Sequence, residues 1–196
     1  MKRSDIYTVQ FRRKRKGLTD YRRRLKILSS NSLRLVVRKS LKNIQACIVM
    51  YDKKGDIIKV SSHSGNLKKF GWNYNNGNTP AAYLVGFLLG KKAEGTKLGK
   101  IVLDIGFQKS TKGSRIYAVI AGALDAGLDI PHNKEILPSK ERISGAHVSK
   151  YAEALKKDEP LFKKQFGKYS KNNIDLNNIS KKFEEVKNNI SKNQGK

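Results

Sequence analysis

Hydrophobic and polar residues alternate every second position in the first half of the chain, which is typical of β-strands. In Leu33–Lys39 the alternation predicts a half-buried strand that carries Arg34 and Arg38 together on its outer face. Asn43–Tyr51 predicts a more buried strand, and Asp56–Ser62 a third one after a glycine-containing turn. Short connections of this kind predict an antiparallel meander.

A different pattern begins at Thr79-Pro80, where Thr79 is the predicted N-cap of a helix. The helix that follows is apolar on almost every side, so we expect it to be buried, with Gly86 and Gly90 allowing close approach of a neighbour. Ile101–Ile105 is a continuous apolar strand. A strand, a helix and a strand form a crossover unit, so this last strand should lie parallel to one strand of the meander.

The second half of the chain predicts helices of decreasing strength. Ser114 is expected to cap a second core helix that ends at Gly127, and Ser139 a third helix. Beyond residue 156 we expect short, marginal helices near Leu161–Phe166 and Ile179–Ile190 and no second core. The fold class is therefore α/β: a small mixed sheet covered by helices, with a basic N-terminal arm and a helical, partly disordered C-terminal extension.

Charge is the most unusual property of the composition. The 196 residues contain 42 Lys and Arg against 16 Asp and Glu, a net charge of +26, and residues 1–42 carry 15 basic and 2 acidic side chains. Such an excess indicates a polyanionic partner, nucleic acid first and an anionic membrane second. We divide the chain into an RNA-binding arm (1–18), an α/β body (19–130) and a helical basic extension (131–196).

The densest basic segment is Phe11–Leu28. It predicts a helix with Thr19 as N-cap and an apolar face of Tyr21, Leu25 and Leu28. Its other faces carry arginines and a lysine, and like charges three or four positions apart weaken a helix. A sequence that accepts this repulsion favours a polyanion as its partner, although a basic solvated face or a nuclear-address tag is the alternative.

The connection His63–Asn78 mixes cations with aromatic residues. Lys68, Lys69, Trp72 and other members of this segment suit unpaired RNA bases, which stack on rings while phosphates meet lysines. The alternative is that Phe70 and Trp72 attach the connection to the core.

No catalytic constellation, metal site or cofactor is predicted. Cys47 lies in an apolar run and is expected to be a buried hydrophobe, and the three histidines are scattered without ligand spacing. Asp104 and Asp125 are expected to be local hydrogen-bonding groups. Without a secretory signal or a membrane-length apolar run, the chain is expected to be soluble and intracellular. An RNA-processing or nucleotide-using enzyme on an α/β scaffold, and a chaperone-like or DNA-compacting protein, remain the alternatives.

Several long blocks of the sequence resemble one known family. They are the basic signature from Phe11 to Leu25, RLVVRKS from Arg34, TPAAYLVGFLLGKKA from Thr79, LDIGFQKSTKGSR from Leu103 and GALDAGLDIPHNKEILPSKERISGAH from Gly122. In this order they are similar to large-subunit ribosomal protein eighteen, the universal 5S rRNA-binding family, in its archaeal and eukaryotic branch. The resemblance covers roughly residues 7–155. Leu18 departs from it, since family members often have a lysine there.

The resemblance implies a structural role in the central protuberance of the large subunit. Its partners would be 5S rRNA, large-subunit rRNA and neighbouring ribosomal proteins, with the chain a monomer in the cytoplasmic ribosome. By matching position it implies RNA contacts for Arg12, Arg13, Arg15, Lys16, Thr19, Tyr21, Arg22, Arg24, Arg34, Arg38, Lys39, Ser61, Ser62, His63, Ser64, Lys109, Ser110, Lys112 and Arg115. The charge and aromatic patterns add Arg23, Lys68, Lys69 and Trp72 to the predicted RNA-binding residues.

Overall fold

The structure, a computed structural model, describes residues 8–96 and 98–192. The first seven residues of the predicted arm and the last four of the predicted extension lie outside the described residues. The described elements are helices α1 (Arg12–Arg15) and α2 (Tyr21–Leu28), strands β1 (Leu33–Lys39), β2 (Ile44–Met50) and β3 (Ile57–His63), a 3-10 helix (Ser64–Phe70), α3 (Thr79–Ala93), β4 (Ile101–Asp104), α4 (Arg115–Asp125), a second 3-10 helix (Lys134–Ile136), α5 (Lys140–Ser144), α6 (Ala146–Leu155), α7 (Glu159–Lys171) and α8 (Ile179–Lys192).

The four strands form one mixed sheet in the order β3-β2-β1-β4. β1 and β2 pair antiparallel, as do β2 and β3, which confirms the predicted meander. β4 pairs parallel with β1, with Arg34 opposite Val102 and Val36 opposite Asp104. The crossover through α3 therefore returns the chain beside β1, as predicted, and brings the carboxyl ends of β1 and β4 to the same edge.

One face of the sheet, which we call the inner face, supplies most of the core. Leu35, Val37, Ile44 and Ile48 are fully or almost fully buried there, because alternate residues of a strand point to the same side. α3 and α4 contribute further side chains to the same core, and α3 is buried on nearly all sides, as its sequence predicts. The opposite, outer face is free of these helices.

α3 and α4 touch backbone to backbone at two glycines. A Cβ atom built on Gly86 would lie 1.9 Å from the carbonyl oxygen of Val119, and one on Gly122 would lie 2.0 Å from that of Tyr83. Only glycine fits at these distances, which confirms the close approach predicted at Gly86. The contact fixes how the two helices cover the sheet.

Two helix caps differ from the prediction. The carboxylate of Asp20, rather than Thr19, accepts a hydrogen bond from the backbone N–H of Arg23 at 3.1 Å and begins α2. Asn78, rather than Thr79, accepts one from the N–H of Ala81 at 2.9 Å and begins α3. In both places two good cap residues stand side by side, and the pattern alone does not select between them.

The helix predicted after Ser139 is divided into α5 and α6 by Gly145, whose φ of +86° is left-handed. A Cβ atom at this glycine would lie 3.2 Å from Pro80 and from Ile179, so the break is where α3 and α8 approach. The expected arm also contains a short helix, α1, within its described part.

The C-terminal helices are longer and better packed than predicted. α8 buries Ile179, Phe183, Val186 and Ile190, which share one face at helical spacing and belong to the same core as the sheet. The ring of Phe183 lies 5.3 Å from that of Tyr83 on α3. The expectation of short, marginal helices is wrong for α8, which completes the single core.

We expect Gly122→Ala to lower the free energy of unfolding by about 3 kcal/mol or more, since backbone atoms cannot yield to the added methyl group. Gly167→Ala in α7 is the matched control. It has nothing within 4 Å of the new Cβ and should be neutral or stabilising by about 0.5–1 kcal/mol. Urea denaturation of both variants measures the difference, and equal stabilities would contradict the close contact.

Candidate nucleic-acid interface

The outer face of the sheet carries the first candidate site. α2 and the turn before it lie across this face and leave a cleft of about 510 Å³. Arginines and aspartates from four parts of the chain line it, namely Arg13, Asp20, Arg23 and Arg24, Arg38, Asp56, and Asp104. The site thus combines the basic helix with the ends of β1 and β4.

Two aspartates join three arginines into what we call the arginine–aspartate network. Asp56 is paired with Arg24 of α2 and with Arg34 of β1, each at 2.8 Å. Asp104 at the end of β4 is paired with Arg34 at 3.1 Å and with Arg38 at 3.3 Å. The network runs from the basic helix across β1 to β4 with alternating charges.

The network attaches α2, which has no buried residue of its own. Arg24 is its link to Asp56, and Arg23 adds a hydrogen bond from Nη1 to the carbonyl oxygen of Gly106 at 3.3 Å. Leu25, predicted on the apolar face of this helix, is 70% exposed, whereas Tyr21 and Leu28 of the same face are half-buried. Arg24 turns toward the sheet instead, because its ion pair with Asp56 fixes the helix rotation.

Arg34 does not reach the surface. Its side chain is 2% exposed, although it lies on the predicted outer side of β1 together with Arg38. The two-residue period of the strand correctly predicts the face of the sheet on which Arg34 lies. It does not show that Asp56 and Asp104 cover the Arg34 side chain there. Arg34 is therefore the buried centre of the network and, in this structure, is not accessible to RNA.

Asp104 acts as a local hydrogen-bonding group, as predicted. Besides its two arginines, its carboxylate accepts a hydrogen bond from the N–H of Gly106 at 2.8 Å, and its carbonyl oxygen accepts one from Arg38 Nη1 at 2.8 Å. Gly106 has a left-handed φ of +59° and lies against the Arg38 guanidinium. This turn presents Arg38, which is about half exposed, at the rim of the cleft.

The network changes the acidity of Asp56. Burial alone would raise the pKa of this carboxyl group, but hydrogen bonds and charge from Arg34 and Arg24 outweigh it and hold the pKa below its ordinary value of 3.8. The carboxylate therefore stays ionised.

Exposed cations surround the cleft. Arg12, Arg15, Lys16 and Arg22 point to solvent, while Arg13 donates a hydrogen bond from Nε to the Thr19 hydroxyl at 2.8 Å. The ring of Tyr21 lies 5.0 Å from that of Phe11 and holds α1 against α2. Most of the predicted RNA-binding residues of this segment are thus exposed cations on α1, α2 and the turn between them.

The predicted residues at the end of β3 divide into exposed and buried members. Ser61 is exposed and His63 half-buried, and both lie on the outer face opposite Cys47 and Gln45. Ser62 and Ser64 are buried, and the Ser64 hydroxyl accepts a hydrogen bond from the N–H of Ile44 at 3.1 Å. These two serines are therefore not accessible as RNA contacts.

The predicted residues of the loop after β4 also differ in exposure. Lys109, Ser110 and Lys112 are exposed, as an RNA-contacting loop requires, and half-buried Lys39 lies at the end of neighbouring β1. Arg115, by contrast, donates hydrogen bonds to the carbonyl oxygens of Gly77 and Ser40 at 2.6 and 3.2 Å. Arg115 joins two turns of the backbone.

The aromatic residues of His63–Asn78 pack inward. Trp72 is fully buried, and its indole N–H donates to the carbonyl oxygen of Asn75 at 3.3 Å, so the core interpretation is confirmed and base stacking on this ring is excluded here. Lys68 and Lys69 remain exposed on the 3-10 helix, a structured part of what was expected to be a loop.

Asp56 was missed by the sequence reasoning, which assigned it to the start of a strand. Its signal is chemical: an acid at the start of a strand, in a segment that also carries Lys53, Lys54 and Lys59, is a candidate counterion for a cation on a neighbouring element. Cys47 is 6% exposed, and burial raises the pKa of its thiol, in agreement with the predicted core role.

Two features are absent from the part of the chain that the structure describes. Residues 8–96 and 98–192 contain no helix with the length and hydropathy needed to cross a membrane. Within the same ranges, no group of three or more His, Cys, Asp or Glu side chains is placed to hold a metal ion.

A mixed sheet with the core helices on one face and a basic helix with exposed cations on the other defines a basic α/β protein suited to a polyanion. The family model described as ribosomal large subunit proteins 60S L5 and 50S L18 matches residues 5–99 and 91–133. The chain is 48% identical over 184 residues to the large ribosomal subunit protein uL18 of Methanococcus maripaludis, covering 94% of this chain and 95% of that protein. The chain belongs to this ribosomal protein family, which confirms the resemblance noted in the sequence.

We expect Asp104→Asn to lower the free energy of unfolding by about 3 kcal/mol, because it leaves buried Arg34 with Asp56 as its remaining counterion. Glu159→Gln removes an exposed ion pair with Lys163 and should leave stability nearly unchanged. Urea denaturation at neutral pH compares the two, and equal effects would contradict the structural role of the network.

Asp56 should also make stability depend on pH. Because its folded pKa lies below 3.8, its contribution is complete above that value and is lost as the pH falls through the folded pKa. The stability difference between the natural protein and Asp56→Asn should therefore be constant at neutral pH and shrink as the pH falls below 3.8. Urea midpoints measured across this range test it, and a constant difference would show that Asp56 does not titrate as inferred.

Proposed function

We propose that this chain is a structural protein of the large ribosomal subunit that binds 5S rRNA and helps to attach it to large-subunit rRNA in the central protuberance. It acts as a monomer within the cytoplasmic ribosome, next to neighbouring large-subunit proteins, and is not an enzyme. The arm (1–18) and body (19–130) bind 5S rRNA, and the extension (131–196) contributes further basic surface.

The observation that carries this proposal is the exposed basic surface of α1 and α2, attached to the outer face of the sheet by the arginine–aspartate network. Arginine guanidinium groups bind phosphate oxygens through two parallel N–H donors, which needs an oriented side chain. The network and the Phe11–Tyr21 contact fix α1 and α2, which carry the exposed arginines, relative to the sheet before RNA arrives. Less ordering entropy is then lost on binding.

Exposed groups around this surface support RNA as the polyanion. Ser61 and His63 lie on the outer face of the sheet, and Lys109, Ser110 and Lys112 are exposed in the loop after β4, so these segments provide further donors and acceptors. Such groups can contact the 2′-hydroxyl groups and phosphates by which folded RNA is recognised. Membership of a ribosomal protein family supports the same assignment.

No observation favours the enzyme alternative. Both carboxylate oxygens of Asp104 accept hydrogen bonds, from Arg34 and from Arg38 and the N–H of Gly106. A carboxylate engaged in this way is not free to bind a catalytic metal ion or act as a general base. The family membership also argues against a chaperone-like or DNA-compacting role.

The experiment is a titration of the full chain with 5S rRNA from the same organism, in excess tRNA and over a range of salt. We expect specific binding that survives the tRNA, with affinity falling steeply as salt rises. Replacing Arg12, Arg15, Lys16 and Arg22 by Gln should reduce the salt slope by about 4, because each substitution removes one cation that neutralises a phosphate.

The matched control removes four exposed lysines elsewhere, at Lys53, Lys54, Lys134 and Lys140. This control variant should keep most of the salt dependence of binding and the full preference for 5S rRNA over tRNA. Displacement of the complex by an equal amount of tRNA, or equal reductions of the slope in both variants, would refute the proposed specificity of this surface.

A further inference from the structure

The turn end of the β2–β3 hairpin carries a group of exposed apolar side chains, which we call the hairpin tip. It consists of Met50, Tyr51, Ile57 and Ile58, whose exposed fractions lie between 36% and 58%. Met50 lies opposite Ile57 in the strand pairing, and Tyr51 follows Met50 directly. Ile58 lies opposite Val49. The four side chains therefore occupy neighbouring positions at one end of the sheet.

The core does not extend over the hairpin tip. Ile48 and Val49 of β2 are buried, and exposure rises abruptly at the next residue, Met50. Single exposed hydrophobic residues are ordinary on a protein surface, but a contiguous apolar patch marks an interaction site. Four such residues at adjacent positions of two paired strands indicate an interaction surface.

The hairpin tip is apolar on both faces of the sheet. Residues of a strand alternate between the two faces, so Met50 and the paired Ile57 lie on the same face as buried Ile48. Ile58 lies on the other face, together with Val49. A flat partner surface would cover one of these faces only. A cleft that receives the turn end of the hairpin covers both.

Lysines surround the hairpin tip. Lys53, Lys54 and Lys59 are exposed, and none of the three takes part in an ion pair among residues 8–96 and 98–192. Of the two nearby acids, Asp56 is already engaged in the arginine–aspartate network, which leaves Asp52 against three lysines. This positive rim repels a second copy of the chain and attracts a partner that carries Asp and Glu.

The backbone of β3 is a poor site for an added strand, although β3 lies at the edge of the sheet. The pairing register shifts between Ile48 and Val49, where Lys59 is an extra residue on β3. Farther along, Lys92 Nζ donates a hydrogen bond to the carbonyl oxygen of Ser61 at 3.2 Å. Bulges and lysines at an edge oppose strand addition. A partner therefore contacts the side chains of the hairpin tip and not the backbone of β3.

The side chains of the hairpin tip suit a protein better than RNA. Unpaired bases stack on aromatic rings, and Tyr51 alone among the four residues has one. Met50, Ile57 and Ile58 offer neither a ring nor a strong hydrogen-bonding group. An apolar centre within a polar rim is instead the usual composition of a protein–protein interface.

We propose that the hairpin tip inserts into an apolar cleft of a neighbouring large-subunit protein, and that Asp and Glu at the rim of this cleft pair with Lys53, Lys54 and Lys59. The inference rests on the proposed function for the presence of protein neighbours. It gives them a contact surface that includes none of the predicted RNA-binding residues.

The first measurement is photo-crosslinking within intact large subunits. Tyr51 is replaced by p-benzoylphenylalanine in the full chain, subunits that contain this chain are irradiated, and the adduct is identified by mass spectrometry. We expect an adduct with one protein, at a segment whose apolar residues are flanked by Asp or Glu. An adduct with rRNA, an adduct at a segment without acidic residues, or no adduct at all overturns the inference.

The cross-linked protein is then purified and titrated with the full chain. Replacing Ile57 and Ile58 by Ser should weaken this binding about tenfold, because both side chains lose apolar area that the cleft buries. The control variant replaces Tyr151 and Leu161 by Ser, which are similarly exposed on α6 and α7, and should bind within about twofold of the natural chain. Equal losses in the two variants would place the contact elsewhere.

Salt tests the charged rim separately. The variant with Lys53→Glu and Lys54→Glu should lose much more affinity at low salt than at high salt, because screening weakens exposed charge pairs. The isoleucine variant should lose the same factor at both. A charge-reversal variant that binds as the natural chain does at low salt would rule out an acidic rim.

An apolar tip surrounded by lysines also fits an anionic lipid surface, so vesicles of phosphatidylglycerol and phosphatidylcholine are tested as a competing partner. The natural chain and the isoleucine variant should bind these vesicles equally, through their shared net charge. If the isoleucine variant loses vesicle binding and the Tyr151 and Leu161 control does not, the hairpin tip binds lipid and the protein inference is wrong.

Binding to 5S rRNA is measured on the same variants, which separates this inference from the proposed function. We expect the isoleucine variant to bind 5S rRNA as the natural chain does. Loss of 5S rRNA in this variant, with circular dichroism unchanged, would assign the hairpin tip to RNA and overturn the inference. Failure of the natural chain to bind 5S rRNA overturns the proposed function instead, whereas the photo-crosslinking result still decides the contact.

Discussion

The arrangement depends on how a strongly basic helix is held against a strongly basic sheet. α2 has no fully buried residue, and its apolar side chains Tyr21, Ile27 and Leu28 are only half-buried, so hydrophobic packing alone holds it weakly. Asp56 and Asp104 each lie between two arginines and convert what would be repulsion between the arginines of α2 and β1 into attraction. The three arginines and two aspartates leave one positive charge over, so the network holds the helix without cancelling the attraction for phosphate.

Buried Arg34 shows why such a network contributes more to the positions of its side chains than to the free energy of folding. Desolvating a guanidinium group costs several kcal/mol, which its ion pairs offset only in good geometry. An apolar residue at this place would pack as well, but it would not link Asp56 to Asp104. What the network contributes is a fixed position of Arg38, and of the cations of α1 and α2, relative to the sheet. This is a requirement of binding and not of folding.

The fold was predictable where periodicity has a single interpretation and not where tertiary contacts decide. The period of Leu33–Lys39 and the apolar run of α3 gave the meander and the crossover correctly. The caps failed at Asp20 and Asn78 because adjacent residues compete for the same role. α8 was underestimated because its lysines and asparagines suggest a marginal helix, whereas burial of one apolar face against the core stabilises it.

The sequence predicts which charged residues belong to the candidate site, but not what each of them contacts. The same residue type serves as a free cation at Arg12, as a buried link at Arg34 and as a backbone clamp at Arg115. The sequence does not distinguish these roles, because they depend on which acids and carbonyl groups the fold brings near. Raising the salt concentration should distinguish these three roles, because salt screens exposed charges over about 8–10 Å but weakens buried ion pairs much less. The scaffold should therefore persist under ionic conditions that release the RNA we propose as its partner, so that binding could be reversed without unfolding.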